Sequence, residues 1–501
     1  MPDTPRVALR RATAADSRRL WEIRNEESVR AVSLDTAPIP FERHQRWLAP
    51  RLEAAAAPIF IVSAPDAGDV GYVRFDAEAG ELQVSIALAS HARGRGIGRA
   101  ALGAAMAALG AGGPHEPVVA LVRRDNAPSL AAFARAGFVA RGERRVGDTS
   151  VAVLGWPVGR VLLAADGGPA IGLGHLGRVL ALAAALDAEG AWAGVVAPGA
   201  GAFRARVEAR GRAAVTIEGW PAWDDAALAR VQAAAREAGA STLVVDSYRA
   251  SDAALERWRA AGLTLVAFDD LAASPSPCHV VIDPSPAAAT VARASRHRDT
   301  RFLLGPAYAP LRPEFGPPPV RKTREHVETV VLTLGGGEVP GLTQPLLDAL
   351  DTAPGDFAVD ALVGPFADPA PLAAAVARCR RAVRVHHDPP DLRALFVEAD
   401  LAVSAAGQTL FELAWAGCPT LAIAAADNQR ANLAGFAARG TVRAVESPGN
   451  PDFRARLTRA VGDLLTDTEA RRAMTAAGQR LVDGAGARRV AAAALGREAA
   501  A

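Results

Sequence analysis

The feature that most constrains the fold is a repeated order of strand, glycine-containing loop and helix that begins near residue 160. It starts with the apolar run VLLAAD and the helical pattern LGRVLALAAALDAEG, and it continues through the runs AGVVAPG, STLVVDS and LTLVAFDD. Alternation of this kind predicts parallel βαβ units, in which each helix crosses back over the sheet. The predicted class of this part of the chain is therefore α/β.

Two changes of pattern divide the chain into three predicted domains. Residues 5–157 show an α+β order, with a strand and two helices, a meander of the runs IFIVSA, VGYVRFD and ELQVSIAL, and then a glycine-rich turn, a helix, a strand, a helix and a final strand. The stretch 313–326 is rich in proline and charge, and a second alternating series follows it directly. We expect domains at 1–158, 159–316 and 324–501, the last two as Rossmann-like halves with a ligand cleft between them.

The composition limits the classes of partner. Basic and acidic residues number 56 and 54, so the net charge of the whole chain does not favour binding to nucleic acid or to an anionic membrane. The sequence shows neither a bilayer-spanning apolar run nor an apolar secretory signal. Cys278, Cys379 and Cys418 are too widely spaced for a disulfide framework or a thiolate metal site. We expect a cytoplasmic globular protein that requires no metal, while its oligomeric state stays open.

A glycine-rich turn follows the strand ELQVSIAL in the first domain. Its residues are Arg93, Gly94, Arg95, Gly96, Ile97 and Gly98, and an alanine-rich helix comes next. Glycines let backbone amides converge, and at the start of a helix such amides form an anion site that can hold a diphosphate. A short glycine pattern is weakly specific by itself, because it also fits an ordinary turn.

A second motif lies downstream, after the strand VVALV. It consists of Asn126, Ser129, Phe133, Gly137 and Phe138. Together with the glycine-rich turn, it resembles the GNAT family of acetyl-CoA-dependent N-acetyltransferases over most of residues 5–157. The resemblance implies that the amides of residues 93–98 hold the pyrophosphate of coenzyme A, and that Asn126 and Ser129 lie near its pantetheine arm or its sulfur.

The acceptor side of such an acetyltransferase is less clear from the sequence. The chemistry needs an amine freed of its proton and a donor that stabilises the oxyanion of the thioester carbonyl. The candidates are Arg24, Asn25, His44, Trp47, Glu81 and Ser85. Side chains of these types are more often caps, surface charges or packed aromatic groups than catalytic groups, so both interpretations stay open.

A histidine at the start of a helix marks the candidate site of the second domain. The strand VLLAAD runs into a glycine loop from Asp166 to Gly174, and His175 begins a long apolar helix. The first loop after a strand faces the cleft of a two-half α/β protein, so this imidazole can point at a bound ligand. We therefore predict a functional role for His175.

Three loops of the third domain each follow a β-rich run. Their candidate ligand-binding residues are Gly335, Gly336, Gly337, Ser404, Ala405, Gly407, Gln408, Thr409, Glu412, Asn428 and Gln429. Small residues let a loop close over phosphates, and the helix that opens at Gln408 adds backbone amides. Glu412, one turn later, can accept hydrogen bonds from ribose hydroxyls. This pattern favours a nucleoside diphosphate as the ligand of the third domain.

These motifs resemble the GT-B nucleotide-sugar proteins, and more narrowly the UDP-sugar hydrolases of pseudaminic acid biosynthesis, which are related to spore-coat polysaccharide and MurG-like proteins. The resemblance covers nearly all of residues 160–440. The matching motifs are DGGPAIGLGH, VDSY at 245–248, FDDLA at 268–272, GPAYAPLRPEF at 305–315, the GGG loop, SAAGQTLFELAWAGCP and ADNQ.

The resemblance implies a substrate and a mechanism. The substrate is UDP-2,4-diacetamido-2,4,6-trideoxy-β-L-altropyranose, which is hydrolysed to UDP and free sugar with inversion. His175 corresponds to the catalytic histidine, a neutral imidazole that takes a proton from the attacking water. Asp166 and Gly174 belong to the implied substrate site. Tyr248 orients the water or the sugar, and Tyr308 closes the cleft, although each tyrosine can instead be a packing residue.

The two resemblances together imply consecutive reactions on one small-molecule nucleotide sugar. The first domain would acetylate the 4-amino group of UDP-4-amino-4,6-dideoxy-N-acetyl-β-L-altrosamine from acetyl-CoA, and the hydrolase would act on the product. Three alternatives remain: a GT-B glycosyltransferase that uses an acceptor alcohol, a hydrolase of a related diamino sugar, and a nucleotide-sugar-binding regulator whose GNAT domain acetylates a protein.

Overall fold

The computed structural model describes residues 5–110, 117–167, 172–210, 214–220, 222–272, 274–335, 341–364, 367–445 and 452–497. The chain divides into two compact units, unit 1 at Met1–Val158 and unit 2 at Gly159–Ala501. Among the helices within the described ranges, none is long and apolar enough to cross a membrane.

Unit 1 is built on a mixed sheet of seven described strands in the order β1-β2-β3-β4-β5-β7-β6. The strands are β1 (Ala8–Arg11), β2 (Ile59–Ala64), β3 (Gly68–Glu78), β4 (Glu81–Leu88), β5 (Val118–Arg123), β6 (Val139–Val146) and β7 (Thr149–Gly155). The helices are α1 (Ser17–Asn25), α2 (Glu27–Arg30), α3 (Phe41–Glu53), α4 (Ile97–Gly110) and α5 (Ala127–Ala136). The α+β order predicted from the sequence is confirmed.

One pair of strands in unit 1 runs in parallel, and its register matters for the site. Strands β4 and β5 pair only at Leu82 with Val118 and at Gln83 with Val119, near the start of both strands. Beyond these two pairs, β4 and β5 are not joined by further residue pairs. Toward the carboxyl ends, the backbone N–H and C=O groups of one strand that face the other are therefore not hydrogen-bonded across the pair. The loop that follows β4 therefore leaves the sheet beside an unpaired stretch of backbone.

The sequence predicts one final strand in unit 1, whereas the structure has the hairpin of β6 and β7. Seven pairs of residues join these strands, which turn at Gly147 with a φ of 56°. The segment VARGERRV of β6 is exposed along most of its length. It therefore lacks the apolar alternation by which a strand is normally recognised in a sequence.

The first half of unit 2 is a parallel sheet in the order β10-β9-β8-β11-β12-β13-β14. The strands are β8 (Arg160–Ala165), β9 (Trp192–Ala197), β10 (Ala214–Thr216), β11 (Thr242–Asp246), β12 (Thr264–Phe268), β13 (Val280–Asp283) and β14 (Arg301–Leu304). The helices are α6 (Gly174–Ala188), α7 (Ala202–Ala209), α8 (Asp225–Ala238) and α9 (Asp252–Ala260). Apolar residues cover both faces of this sheet, as is usual in parallel sheets.

The second half of unit 2 is a parallel sheet in the order β17-β16-β15-β18-β19-β20. The strands are β15 (Thr329–Thr333), β16 (Ala358–Val363), β17 (Val383–His387), β18 (Leu401–Ala405), β19 (Thr420–Ile423) and β20 (Val442–Val445). The helices are α10 (Thr343–Thr352), α11 (Pro369–Val376), α12 (Leu392–Glu398), α13 (Thr409–Trp415), α14 (Arg430–Ala438), α15 (Phe453–Thr466), α16 (Thr468–Leu481) and α17 (Gly486–Ala494). Two Rossmann-type sheets in one unit confirm the predicted α/β class.

The last helix departs from the predicted domain range of 324–501. Val490 and Ala491 of α17 are fully buried in the core of the first half, together with residues of β8 and α6. The start of α17 is also close-packed, because a Cβ atom on Gly486 would lie 2.1 Å from the carbonyl oxygen of Ala309. The chain thus returns to the first half after completing the second.

Candidate functional sites

The glycine-rich turn of unit 1 connects β4 to the start of α4. Gly94 and Gly96 have φ angles of 73° and 77°, a region that side chains other than glycine rarely adopt. The turn lies at the carboxyl end of β4, where that strand no longer pairs with β5. The guanidinium of Arg93 is bonded to the carbonyl of Leu88 at 2.9 Å, so this side chain braces the turn.

The downstream motif shapes α5. The Asn126 side chain caps the helix by accepting a hydrogen bond from the amide of Ser129 at 3.2 Å. Phe133 packs edge-on against Phe138 at 5.0 Å, and Gly137 ends the helix with a φ of 104°. Caps of this kind fix both ends of a helix. The resemblance placed Asn126 beside the pantetheine, and its side-chain oxygen here serves the helix cap.

The structure brings the two motifs of unit 1 together. A Cβ atom on Gly98, in the first turn of α4, would lie 3.9 Å from Cβ of Ala132 in α5 and 3.6 Å from a methyl carbon of Leu88. The helix that follows the glycine turn and the helix capped by Asn126 therefore pack side by side next to β4. The open stretch between β4 and β5 lies at this position.

Four of the six candidates for the acceptor side, Asn25, Glu81, Ser85 and Arg24, form hydrogen bonds with other protein groups. Asn25 both donates to and accepts from the backbone of Ile39, at 2.9 and 2.8 Å. Glu81 accepts two hydrogen bonds from Arg144 at 2.9 and 3.1 Å. Such pairings are typical of structural side chains. Ser85 accepts from Arg74 Nε at 2.9 Å.

His44 is the most unusual of these candidates. Its side chain is buried, its Nε2 has no hydrogen-bond partner, and its ring lies between Phe41 and Trp47 at 6.3 and 5.6 Å. Burial lowers the pKa of His44, because an apolar environment disfavours the charged imidazolium. Arg24 donates to the carbonyl of Asp35 at 2.8 Å. Among the described residues of unit 1, the geometry singles out no acceptor base.

Aspartates mark the carboxyl ends of four neighbouring strands in the first half of unit 2. Asp246 and Asp283 end β11 and β13, Asp166 follows β8, and Asp270 lies two residues after β12. Strands β8, β11, β12 and β13 are consecutive in the sheet, so the carboxylates lie along one edge. Most are buried, and such charges require partners.

His175 is one of these partners. It is the second residue of α6, and its Nδ1 lies 2.5 Å from Oδ1 of Asp246. Arg178, one turn later, binds both oxygens of Asp246 at 2.8 and 2.7 Å. Burial by itself would raise the pKa of Asp246, but the charge of Arg178, followed by His175, holds that pKa below its usual value. Asp246 is therefore an ionised carboxylate.

Tyr248 forms the exposed side of this cluster. Its ring meets the ring of His175 edge-on, with centroids 4.8 Å apart, and the residue is 40% exposed. Partial burial, followed by the negative charge of Asp270, raises the pKa of the Tyr248 hydroxyl. The phenol is thus protonated at neutral pH, and its ring packs against the imidazole while its hydroxyl interacts with Asp270.

Asp166 has a structural role that the sequence did not reveal. Its carboxylate accepts hydrogen bonds from Trp223 Nε1 at 2.6 Å, Ser247 Oγ at 2.8 Å and Arg249 Nη2 at 3.0 Å. The sequence predicts Asp166 as a substrate ligand, whereas in the structure protein donors engage both of its oxygens. Asp166 thus ties the end of β8 to the loop after β11.

The two halves of unit 2 approach each other beside His175. A Cβ atom on Gly174 would lie 3.9 Å from Cβ of Gln408, which precedes α13 in the second half. The Gln408 amide donates to the carbonyl of Pro310 at 3.2 Å. The predicted histidine loop and the predicted nucleotide loop therefore meet, although they are far apart in the sequence.

The remaining predicted residues of the second half lie around this point or outside the described ranges. Ser404 and Ala405 end β18, Gly407 and Thr409 flank Gln408, and Gly335 has a φ of 93° after β15. Gln429 accepts from the amide of Ala425 at 2.9 Å, whereas Asn428 is exposed. Tyr308 packs against the core of the first half. Gly336 and Gly337 lie outside the described residues.

Glu412 has a partner that was not predicted. Its Oε1 accepts hydrogen bonds from Nη2 and Nε of Arg312 at 2.9 and 3.1 Å, and the two side chains are 9% and 15% exposed. Burial raises the pKa of Glu412, and the charge of Arg312 opposes that rise. The predicted ribose ligand is thus part of a buried ion pair.

Sequence reasoning assigned no role to Arg178, to Trp223 or to Asp246, although Asp246 lies within the motif VDSY. Arg178 could have been found, because it lies three residues after His175 on one helical face. Within the part of the chain that the structure describes, no group of three or more histidine, cysteine, aspartate or glutamate side chains is placed to hold a metal ion.

Comparison with known proteins finds similarity to two different kinds of protein. Residues 6–139 match the family model described as the acetyltransferase (GNAT) domain. No curated protein sequence matches the chain significantly. Among solved structures, the chain is similar to MurG of Acinetobacter baumannii, with 15% identity, a TM-score of 0.50, and coverage of 66% of this chain and 98% of that chain.

Two further structures are shorter. A GNAT superfamily phosphinothricin acetyltransferase from Sinorhizobium meliloti in complex with acetyl-CoA is 22% identical, with 30% of this chain and 86% of that chain covered and a TM-score of 0.27. The aminoglycoside acetyltransferase AAC(6')-Ib in complex with coenzyme A is 16% identical, with 30% and 93% covered and a TM-score of 0.26. The chain therefore carries a GNAT acetyltransferase domain at its N-terminus and, in unit 2, a GT-B fold similar to that of MurG.

Proposed function

We propose that the protein is a bifunctional nucleotide-sugar enzyme of pseudaminic acid biosynthesis. Unit 1 transfers an acetyl group from acetyl-CoA to the 4-amino group of UDP-4-amino-4,6-dideoxy-N-acetyl-β-L-altrosamine. Unit 2 then hydrolyses the product, UDP-2,4-diacetamido-2,4,6-trideoxy-β-L-altropyranose, and releases UDP. Both reactions use cytoplasmic substrates, and the product of the first is the substrate of the second.

In unit 1, the amides of residues 93–98 bind the pyrophosphate of coenzyme A at the start of α4. The positive φ angles of Gly94 and Gly96 support this proposal, because they allow successive amides to turn toward one point. The amine of the sugar attacks the thioester carbonyl, the carbon–sulfur bond breaks, and the amine proton passes to solvent while the thiolate of coenzyme A is protonated.

In unit 2, Nε2 of His175 takes a proton from water as the water oxygen attacks the anomeric carbon. The bond from that carbon to the UDP oxygen breaks on the opposite face, so the configuration inverts. Backbone amides of the loops after β15 and β18 stabilise the diphosphate of the leaving UDP. The observation that carries the assignment is the buried pair of His175 and Asp246 at 2.5 Å, beside the meeting of the two loops.

Glycosyl transfer to an alcohol is the second candidate, because a GT-B fold hosts both outcomes and the same imidazole can deprotonate an alcohol. The burial of His175 favours water. Its side chain is only 7% exposed and packs edge-on with the ring of Tyr248, so a small nucleophile reaches the imidazole more easily than a bulky acceptor.

The experiment is mass spectrometry of the full-length protein with the UDP-4-amino sugar in ¹⁸O-water, with and without acetyl-CoA. We expect an acetylated UDP-sugar, followed by UDP and a free diacetamido sugar that carries ¹⁸O at its anomeric carbon. His175→Ala should abolish UDP release and leave acetylation intact. Acetylation without UDP release would refute the hydrolase assignment and favour transfer to an alcohol, and UDP release from a diamino-sugar isomer alone would replace the proposed sugar.

A further inference from the structure

Asp246 and His175 are close enough to define where a proton lies. Asp246 Oδ1 and His175 Nδ1 are 2.5 Å apart, and the two side chains are 1% and 7% exposed. A carboxylate oxygen and an unprotonated ring nitrogen would face each other with lone pairs at this separation, which is strongly repulsive. One proton must therefore lie between the two atoms.

Arg178 determines which of the two atoms is covalently bonded to that proton. Its Nε donates to Asp246 Oδ2 at 2.8 Å and its Nη2 donates to Oδ1 at 2.7 Å. A guanidinium remains charged in proteins, and a bidentate pair with it stabilises the ionised carboxylate. The proton therefore belongs to Nδ1 of His175. Nη2 of Arg178 is also 3.0 Å from Nδ1, but two protonated nitrogens cannot bond to each other.

We infer that Asp246 is a positioning residue that holds His175 in its Nδ1-protonated tautomer, so that Nε2 is the atom that accepts the proton of the nucleophile, and that Arg178 fixes Asp246 in this role. The inference rests on the proposed function of unit 2, in which His175 is the base. Neither Asp246 nor Arg178 touches the substrate in this scheme, because each acts through the imidazole.

The groups that contact the imidazole come from its own helix and from the end of β11. They are Arg178 on α6, and Asp246 and Tyr248 at and just after β11, while Asp270 contacts Arg178. A proton that Nε2 takes from the nucleophile therefore adds positive charge to a ring whose other nitrogen lies 2.5 Å from the carboxylate of Asp246, and this arrangement is electrostatically favourable.

Arg178 also prevents rotation of the pair. Its Nη1 reaches Asp270 at 3.3 Å, and its guanidinium lies 5.0 Å from the ring centroid of Phe268 in β12. The arginine thus joins α6 to the ends of two strands, and this connection orients the carboxylate as well as keeping it ionised. An uncharged side chain at position 178 would leave Asp246 buried without its main partner.

The test is nitrogen NMR of ¹⁵N-histidine-labelled full-length protein, with the His175 signals assigned by their loss in His175→Ala. We expect a protonated Nδ1 and an unprotonated Nε2 in the wild type. In Asp246→Asn, the anionic acceptor of the Nδ1 proton is lost, and because Arg178 donates to both positions of the former carboxylate, neither orientation of the amide pairs with all three donors. We expect the Nδ1-protonated tautomer to lose population and kcat for UDP release to fall by about 10⁴-fold, as when a His–Asp pair is broken in this way, with KM changed little.

Asp283→Asn is the matched control. Asp283 is a buried aspartate at the end of β13 and is paired with Arg293, so it is similar to Asp246 in burial and charge, yet it does not contact His175. We expect an unchanged tautomer in this variant. Calorimetric unfolding of unit 2 reports whether each variant is folded, because acetyl transfer by unit 1 reports on unit 1 alone.

Two results would overturn the inference. One is a wild-type His175 protonated on Nε2, a measurement that needs no variant. The other is an Asp246→Asn protein that keeps the wild-type tautomer and loses less than tenfold in kcat. The expected tautomers without any UDP release by the wild type would refute the proposed hydrolysis and leave the positioning of His175 intact, so the two failures are distinguishable.

Discussion

The buried ion pair of Arg312 and Glu412 gives a quantitative prediction for the second half of unit 2. The two side chains are 15% and 9% exposed, and both hydrogen bonds from the guanidinium go to one carboxylate oxygen. Arg312→Met replaces the guanidinium with an unbranched apolar side chain and leaves the carboxylate buried without its cation. Loss of one partner of a buried pair costs about 3–5 kcal/mol, so we expect unit 2 to lose about that much unfolding free energy at neutral pH.

The predicted loss depends on pH with a definite sign. Burial raises the pKa of Glu412 in the native protein, and without the opposing charge of Arg312 that pKa rises further. A carboxyl group whose pKa is raised by folding adds stability below its unfolded pKa, and this contribution disappears as the pH rises through the folded pKa. The deficit of Arg312→Met should therefore be small near pH 4 and complete above neutral pH.

Calorimetric unfolding of the full-length protein between about pH 4 and 8 checks this prediction, since about 3–5 kcal/mol shifts the melting temperature of a domain this large by on the order of 10 °C. The matched control is the double variant Arg312→Met/Glu412→Gln, which removes the buried charge together with its partner. We expect it to recover most of the loss at neutral pH. A single variant with the same deficit at both ends of the pH range, or a double variant no more stable than the single one, would refute the reasoning.

Three further predictions concern unit 1. Gly96→Glu should weaken acetyl-CoA binding at least about tenfold by calorimetric titration, while Gly147→Glu, at another positive-φ turn, should not. Asn126→Ala removes the cap of α5 and should cost about 1 kcal/mol in the unfolding of unit 1. The Arg10 guanidinium lowers the pKa of Asp16 to about 2. Asp16→Asn should therefore lower the unfolding free energy of unit 1 at pH 7, and this loss should shrink as the pH falls from about 4 toward about 2. Calorimetric unfolding checks this, and an equal loss at pH 7 and near about pH 2 would contradict it.

Features that depend on local pattern could be predicted from the sequence. The parallel sheets follow from apolar runs that alternate with helices, and the place of His175 follows from a glycine loop between a strand and a helix. These patterns need only neighbouring residues. The same applies to the glycine turn at residues 93–98, because positive φ angles at Gly94 and Gly96 are a local property of the backbone.

Features that depend on partners distant in the chain could not be predicted. Asp246 lies 71 positions after His175, and Arg312 lies 100 positions before Glu412. Which aspartate meets the histidine is decided by the order of β8 and β11 in the sheet, and no spacing rule in one sequence fixes that order. The return of α17 to the first half has the same cause.

The charges at the carboxyl ends of the two sheets give the halves of unit 2 different roles. In the described part of the first half, five aspartates lie at or after β8, β11, β12 and β13, and the arginines that pair with them number three. The aspartates are Asp166, Asp246, Asp269, Asp270 and Asp283, and the arginines are Arg178, Arg249 and Arg293. This edge keeps an excess of negative charge, which repels a diphosphate.

The corresponding edge of the second half has a different character. Strand β18 ends in Ser404 and Ala405, and Gly407 follows, so small neutral residues leave backbone amides accessible at the start of α13. In the proposed hydrolysis, a diphosphate is therefore better held by the second half, and the sugar would face the aspartates of the first half. His175 lies next to the contact between the two halves, where Gly174 meets Gln408, so a substrate that spans the halves would bring its anomeric carbon near this imidazole.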